Sequence, residues 1–131
     1  MRGKPCIDPV GVRTVCDGHT GPDIDPKRIY TDAECDAWRD ADLAEADAAM
    51  RRLITEPLND WQRAALIDFT YNLGAGNLAA STMRRKFNAR DYVGGCAELN
   101  RWVKGRQSGV LVTLPGLVTR REANAWVCLQ N

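Results

Sequence analysis

The sequence predicts an α+β protein, with a small β lobe over residues 1–30, a long helix over 31–55 and a larger, all-helical lobe over 56–131. Three observations carry this expectation. Gly, Pro, Asp, Val and Thr crowd residues 6–30, the composition of short strands and turns. An Ala-rich stretch with apolar residues near a 3.6-residue period opens at Thr31. Beyond Pro57, helix start and stop signals follow one another to the C-terminus. At 131 residues the chain is long enough for one core and too short for two independent domains, so the lobes are parts of a single domain.

In the first lobe, Gly11–Cys16 and Gly18–Gly21 read as strands and turns. Thr31-Asp32-Ala33-Glu34 is a capping box: the Thr hydroxyl and the Glu carboxylate each take a backbone N–H that the first helical turn leaves orphaned. Cys35, Trp38, Leu43, Ala46, Ala49 and Leu53 then keep a helical period until Pro57 ends the run. Asn59 or Asp60 caps a second helix, the most apolar stretch of the chain, placed at the centre of the larger lobe and stopped at Gly74-Ala75-Gly76. Further helices are expected from Ser81 or Thr82 to Asn88, from Asp91 to Val103, and from Pro115, a first-turn proline, to the neighbourhood of Cys128. Lys104–Leu114, with Gly105, Ser108 and Gly109, reads as a mobile loop.

Charge and composition exclude several functions. With 18 basic against 17 acidic side chains the net charge is +1, which lacks the electrostatic footprint of a nucleic-acid-binding domain. No apolar run is long enough to span a membrane, and Met1–Cys6 does not resemble a secretory signal, so the chain is expected either to stay in the host cytoplasm until it is released or to lack an N-terminal segment. The cysteines are too irregularly spaced for a zinc site and His19 stands alone, so neither a metal nor another cofactor is expected. Cys16, Cys35, Cys96 and Cys128 are candidates for disulfides, with buried free thiols as the alternative and no pairing assigned; Cys6 makes the count odd.

Six segments in register resemble one family. Asp8-Pro9-Val10-Gly11-Val12-Arg13-Thr14-Val15-Cys16-Asp17-Gly18-His19-Thr20 resembles the active-site hairpin of lambdoid phage endolysins, the phage-type lysozymes of glycoside hydrolase family 24. Tyr30–Cys35 resembles the start of that family's inter-lobe helix, and Phe69–Asn77 the end of its central helix. Ser81–Lys86, Cys96–Leu99 with Arg101-Trp102, and Pro115-Gly116-Leu117 with Arg120-Arg121-Glu122 complete the series, which covers essentially the whole chain.

The resemblance implies the phage-type lysozyme fold and a muramidase that cleaves the β-1,4 bond between N-acetylmuramic acid and N-acetylglucosamine in peptidoglycan. It also implies a catalytic pattern of Glu, eight residues, Asp, five residues, Thr. Asp8 and Thr14 have the required spacing and suit the second-carboxylate role, stabilising positive charge on the sugar and orienting water. Taken without the family, Asp8 is a turn residue before Pro9 and Thr14 a strand residue. Counting back from Asp8 places the general-acid Glu before Met1. Asp17, Glu34 and Glu122 are poor substitutes, because Asp17 has the opposite strand parity to Thr14, Glu34 serves a cap and Glu122 belongs to the last helix. Cys6 departs from the family's usual Tyr.

Tyr71 and Asn72 are expected to bind substrate, the ring on a sugar face and the amide on an N-acetyl group. Arg120 and Arg121 are expected near the acid or the peptide carboxylates, with solvated helix residues as the plainer reading. His19 is expected to be structural, paired with a carboxylate of the inter-lobe helix. The family's first helix packs on the helical lobe, so its absence from these residues is expected to expose apolar surface that a protein partner or self-association would cover. Two functions are therefore carried forward: a peptidoglycan-cleaving endolysin impaired by the absent Glu, and a catalytically inactive lysozyme-fold module that binds a glycan or a protein, such as a phage-encoded inhibitor of a host component.

Overall fold

The computed structural model describes residues 2–7, 13–16, 19–20 and 23–131. The chain divides into two compact units, Met1–Asp42 with Gly105–Val112, and Leu43–Lys104 with Thr113–Asn131. The division falls inside the long helix α1 (Asp32–Leu53) and at the base of a hairpin, after Lys104 and after Val112.

In the first unit, β1 (Cys6–Ile7), β2 (Arg13–Val15) and β3 (His19–Thr20) form an antiparallel sheet in that order. Thr14 lies opposite Cys6 on one side and Thr20 on the other, while Val15 lies opposite His19. Directly opposed residues share a face of the sheet, so Val15 and His19 are both buried and Thr14, one residue along, faces the other way and is half-buried. Val15, Ile24, Tyr30 and Cys35 form this unit's core, with Cys16 and Trp38 against it. A disulfide joins Cys16 at the end of β2 to Cys35 in the first turn of α1.

The box at the start of α1 has both of its bonds: the Glu34 N–H donates to the Thr31 hydroxyl (3.2 Å) and the Thr31 N–H to the Glu34 carboxylate (3.1 Å). Acidic Asp32 and Glu34 in the first turn and basic Arg51 and Arg52 in the last suit the helix dipole. At the far end, the Leu53 carbonyl accepts from Arg84 Nε and Asn88 Nδ2, giving partners to a group that helix geometry leaves unpaired.

The second unit contains α2 (Asp60–Leu73), α3 (Ala75–Ala80), α4 (Thr82–Asn88), α5 (Tyr92–Glu98), a 3-10 turn (Leu99–Arg101) and α6 (Pro115–Cys128). Asn59 caps α2 in a second reciprocal box with Gln62, Ser81 caps α4, Asp91 caps α5, and Pro115 opens α6. α2 packs against α6 and α4 against α5. The core gathers Met50, Ile54, Leu66, Phe69, Leu78, Met83, Phe87 and Leu99, with the Cys96–Cys128 disulfide tying α5 to the end of α6. α2 supplies buried Ala65, Leu66 and Phe69, yet its Trp61 stays exposed, so this helix is central on one face only.

Three expectations need correction. The larger lobe is not all helical: Lys104–Leu114 contains β4 (Lys104–Gln107) and β5 (Val110–Thr113), paired as a hairpin. Ser108 and Gly109 take φ of 51° and 78°, the two successive positive values of a tight hairpin turn, and Val110-Leu111-Val112 has strand propensity. Gly74 ends α2 as expected, but its φ of 91° redirects the chain straight into α3 instead of a longer turn. The helix expected over 91–103 ends at Glu98 and tightens into the 3-10 turn, closed by the Trp102 N–H on the Leu99 carbonyl.

Candidate active site

The candidate residues fall in both units. Asp8 lies outside the described residues. Thr14 is held at the middle of the three-stranded sheet, half-buried on the face away from Val15, with Cys6 directly across from it. Cys6 is exposed and carries a free thiol.

His19 is built into the core of the first unit. Its ring stacks on Trp38 with centroids 4.2 Å apart and planes within 8°. Nδ1 lies 2.7 Å from an Asp42 carboxylate oxygen on α1, and Nε2 lies 3.1 Å from Asp23. Burial works against a charged ring, but the hydrogen bonds to Asp42 and Asp23, and their negative charges, outweigh it and raise the His19 pKa above the ordinary histidine value. Both ring nitrogens are committed to carboxylates, a geometry suited to anchoring β3 on α1.

In the second unit, α2 and α6 bring Tyr71, Asn72, Arg120 and Arg121 together around a residue that sequence reasoning passed over, Asp68. Its carboxylate receives Arg120 through Nε (3.2 Å) and Nη2 (2.8 Å), and Asn124 through Nδ2 (2.9 Å). Burial opposes the Asp68 charge, yet these donors and the nearby positive charges hold its pKa below the usual carboxylate range. Arg121 is fully buried; Nη2 donates to Asn72 Oδ1 at 2.8 Å, and the guanidinium lies 5.4 Å from the Phe69 ring centroid. Burial lowers the Arg121 pKa to about 10, with Asp68 resisting and Arg120 adding to the fall, so the side chain is still charged at neutral pH. Arg121 Nε and Nη1 and Asn124 Oδ1 are buried with no partner among the described residues. A carboxylate set in the apolar run 64–69 is the available signal for Asp68, since burying it without a cation opposite is costly. Tyr71 is half-buried two residues before the end of α2.

The first unit offers a hydroxyl on its sheet, and the second, by itself, an amide held by a buried guanidinium and a nearby phenol. Such groups hydrogen-bond and stack on carbohydrate. Among the described residues, no cluster of three His, Cys, Asp or Glu side chains is placed to hold a metal ion. The phage lysozyme family model matches residues 1–124.

The chain belongs to the phage lysozyme family.

It is similar to the SAR-endolysin of bacteriophage PS119, at 44% identity over 131 residues, covering 98% of this chain and 75% of that protein. The SAR-endolysin of enterobacteria phage P21 is 42% identical over 127 residues, covering 95% and 73%. Among solved structures, the endolysin of Escherichia coli O157:H7 phage FAHEc1 superposes with a TM-score of 0.87 at 26% identity, covering 98% of this chain and 84% of that one. The muramidase domain of SpmX from Asticaccaulis excentricus gives the same TM-score at 24% identity, covering 100% and 88%, a likeness of fold. As a phage lysozyme the chain is by family an enzyme, a glycosidase of the endolysin type, and the family's substrate is peptidoglycan. No helix among the described residues is long and apolar enough to cross a membrane.

Proposed function

We propose that this phage lysozyme hydrolyses the β-1,4 bond between N-acetylmuramic acid and N-acetylglucosamine to lyse the phage's host, held in the host cytoplasm until it reaches the cell wall. The observation that carries the reading is the family match over residues 1–124 with Asp8 and Thr14 at the catalytic spacing. Asp8 stabilises positive charge developing on the sugar, and Thr14 helps hold the attacking water. Tyr71 and Asn72 bind the glycan, Arg120 and Arg121 support them from α6, and His19 anchors β3.

The 131 residues include no Glu at the family's spacing from Asp8. A positioned general acid contributes roughly 10² to 10⁴ in rate, and a sugar alkoxide is a poor leaving group, so the 131-residue polypeptide by itself turns over slowly. A second reading is a lysozyme-fold module that binds a glycan or a protein without cleaving. Exposed Trp61 on α2 and exposed Trp126 on α6 are apolar surface that a protein partner or a second copy would cover.

The test is muropeptide release from purified peptidoglycan by the 131-residue chain, its Asp8→Asn variant, and a form extended by an N-terminal helix bearing Glu at the family spacing. Release that needs the extension and is lost with Asp8→Asn supports the enzyme. Release by the unextended chain overturns the impairment, and silence from the extended form favours the binding module.

A further inference from the structure

The direction in which Asn72 can hydrogen-bond is set by its partner. A guanidinium only donates, so Arg121 Nη2, 2.8 Å from the Asn72 side chain, must meet the amide oxygen and not the nitrogen. Rotating the amide by 180° would set two donors against each other beside a buried cation. Asn72 Oδ1 is thereby used up, and Nδ2, with no partner among the described residues on a half-buried side chain, is left as a donor. Arg121 cannot swing away, because it is fully buried over Phe69. Its neighbour Arg120 is held by two bonds to Asp68, which also takes the Asn124 amide.

We infer that Arg121 is a positioning residue that makes Asn72 a one-way hydrogen-bond donor, selective for the carbonyl oxygen of an N-acetyl group on the glycan. The inference rests on the peptidoglycan reading above and adds what that reading lacks, the polarity of the contact. An acetamido group offers both a carbonyl acceptor and an N–H donor; Asn72 takes only the first. A de-N-acetylated sugar offers an ammonium group in its place, which only donates and finds no acceptor here.

The test measures co-sedimentation of the chain with insoluble peptidoglycan at pH 6, intact or chemically de-N-acetylated, for wild type, Asn72→Asp and Arg121→Met. Wild type is expected to bind intact material about tenfold more tightly than the de-N-acetylated form, the scale of one hydrogen bond. Asn72→Asp keeps the bond to Arg121 but presents a carboxylate, so its preference reverses toward the ammonium-bearing material. Arg121→Met frees the amide to turn and weakens binding to intact peptidoglycan severalfold, while the melting temperature stays level or rises because a buried charge has gone. An Asn72→Asp variant with the wild-type preference overturns the inference. So does Arg121→Met if its binding falls only in step with its stability. Failure of wild type to bind either material overturns the peptidoglycan reading along with it.

Discussion

Replacing Cys96 and Cys128 together by Ala tests the energetics of the larger unit directly. The two cysteines are 32 positions apart, both fully buried, with Cα atoms 5.6 Å apart. Opening a closed loop of that length returns roughly 12.5 cal/mol/K of chain entropy to the unfolded state, or about 3.7 kcal/mol at 25 °C. The alanines fill less of the site than the sulfurs did, so this figure is a floor for the double variant. For 131 residues an unfolding entropy near 2.1 cal/mol/K per residue gives about 275 cal/mol/K in all, and 3.7 kcal/mol becomes a fall of about 13 °C in the melting temperature. Calorimetry of both proteins measures the fall, and thiol titration of denatured wild type without reductant gives one reactive group, Cys6, rising to five after reduction. A double variant that melts within about 3 °C of wild type refutes the loop-entropy account. More than one thiol before reduction refutes the pairing itself.

Three further predictions concern single side chains. The His19 pKa is raised on folding, so its contribution is full below the unfolded value near 6.5 and is lost as pH rises through the folded value; melting temperatures of wild type should fall from pH 6 to pH 9 while those of His19→Gln stay nearly flat. Asp68 is the opposite case, with a lowered pKa whose contribution is present above about pH 4 and is lost as the pH drops through the folded value. Asp68→Ala should therefore cost about 2 kcal/mol by urea unfolding at pH 7, discounted from a fully buried pair because the carboxylate is about one-third exposed, and wild type and variant should converge near pH 2. The Ser81 hydroxyl accepts the Arg84 N–H at 3.0 Å and donates to the Leu78 carbonyl, so Ser81→Ala should cost about 1 kcal/mol in the same assay.

Much of the helical framework could be read from single residues because its signals are local. Thr31 with Glu34, and Pro115 at a first turn, fix helix starts through bonds or dihedrals made within one turn. The pairing within Lys104–Leu114 is not legible for the converse reason: glycine and serine mark a turn, but whether the flanking residues pair is decided across the hairpin. Gly74 shows the same ambiguity, since a positive φ that ends one helix also aims the chain into the next. In the site, the residue types at Asn72, Arg120 and Arg121 were legible and their relationships were not. Asp68 and Asn124 enter only when α2 and α6 lie side by side, 56 positions apart in sequence, and no spacing rule covers that distance. The cysteine partners likewise wait on the tertiary fold.

The hairpin has a consequence for how this molecule can be cut. Because residues 105–112 cluster with the first 42, the backbone passes between the two units three times: within α1, after Lys104 and after Val112. Neither unit is a continuous stretch of gene, so no single pair of primers encodes either one. Ending an expression clone inside α1 leaves the first unit short of eight residues, and starting one there leaves the second carrying a hairpin stripped of its usual company. A protease nick at the exposed Ser108–Gly109 turn would be milder than either, because it severs the chain without deleting any of it, and it marks that turn as the place to open new termini.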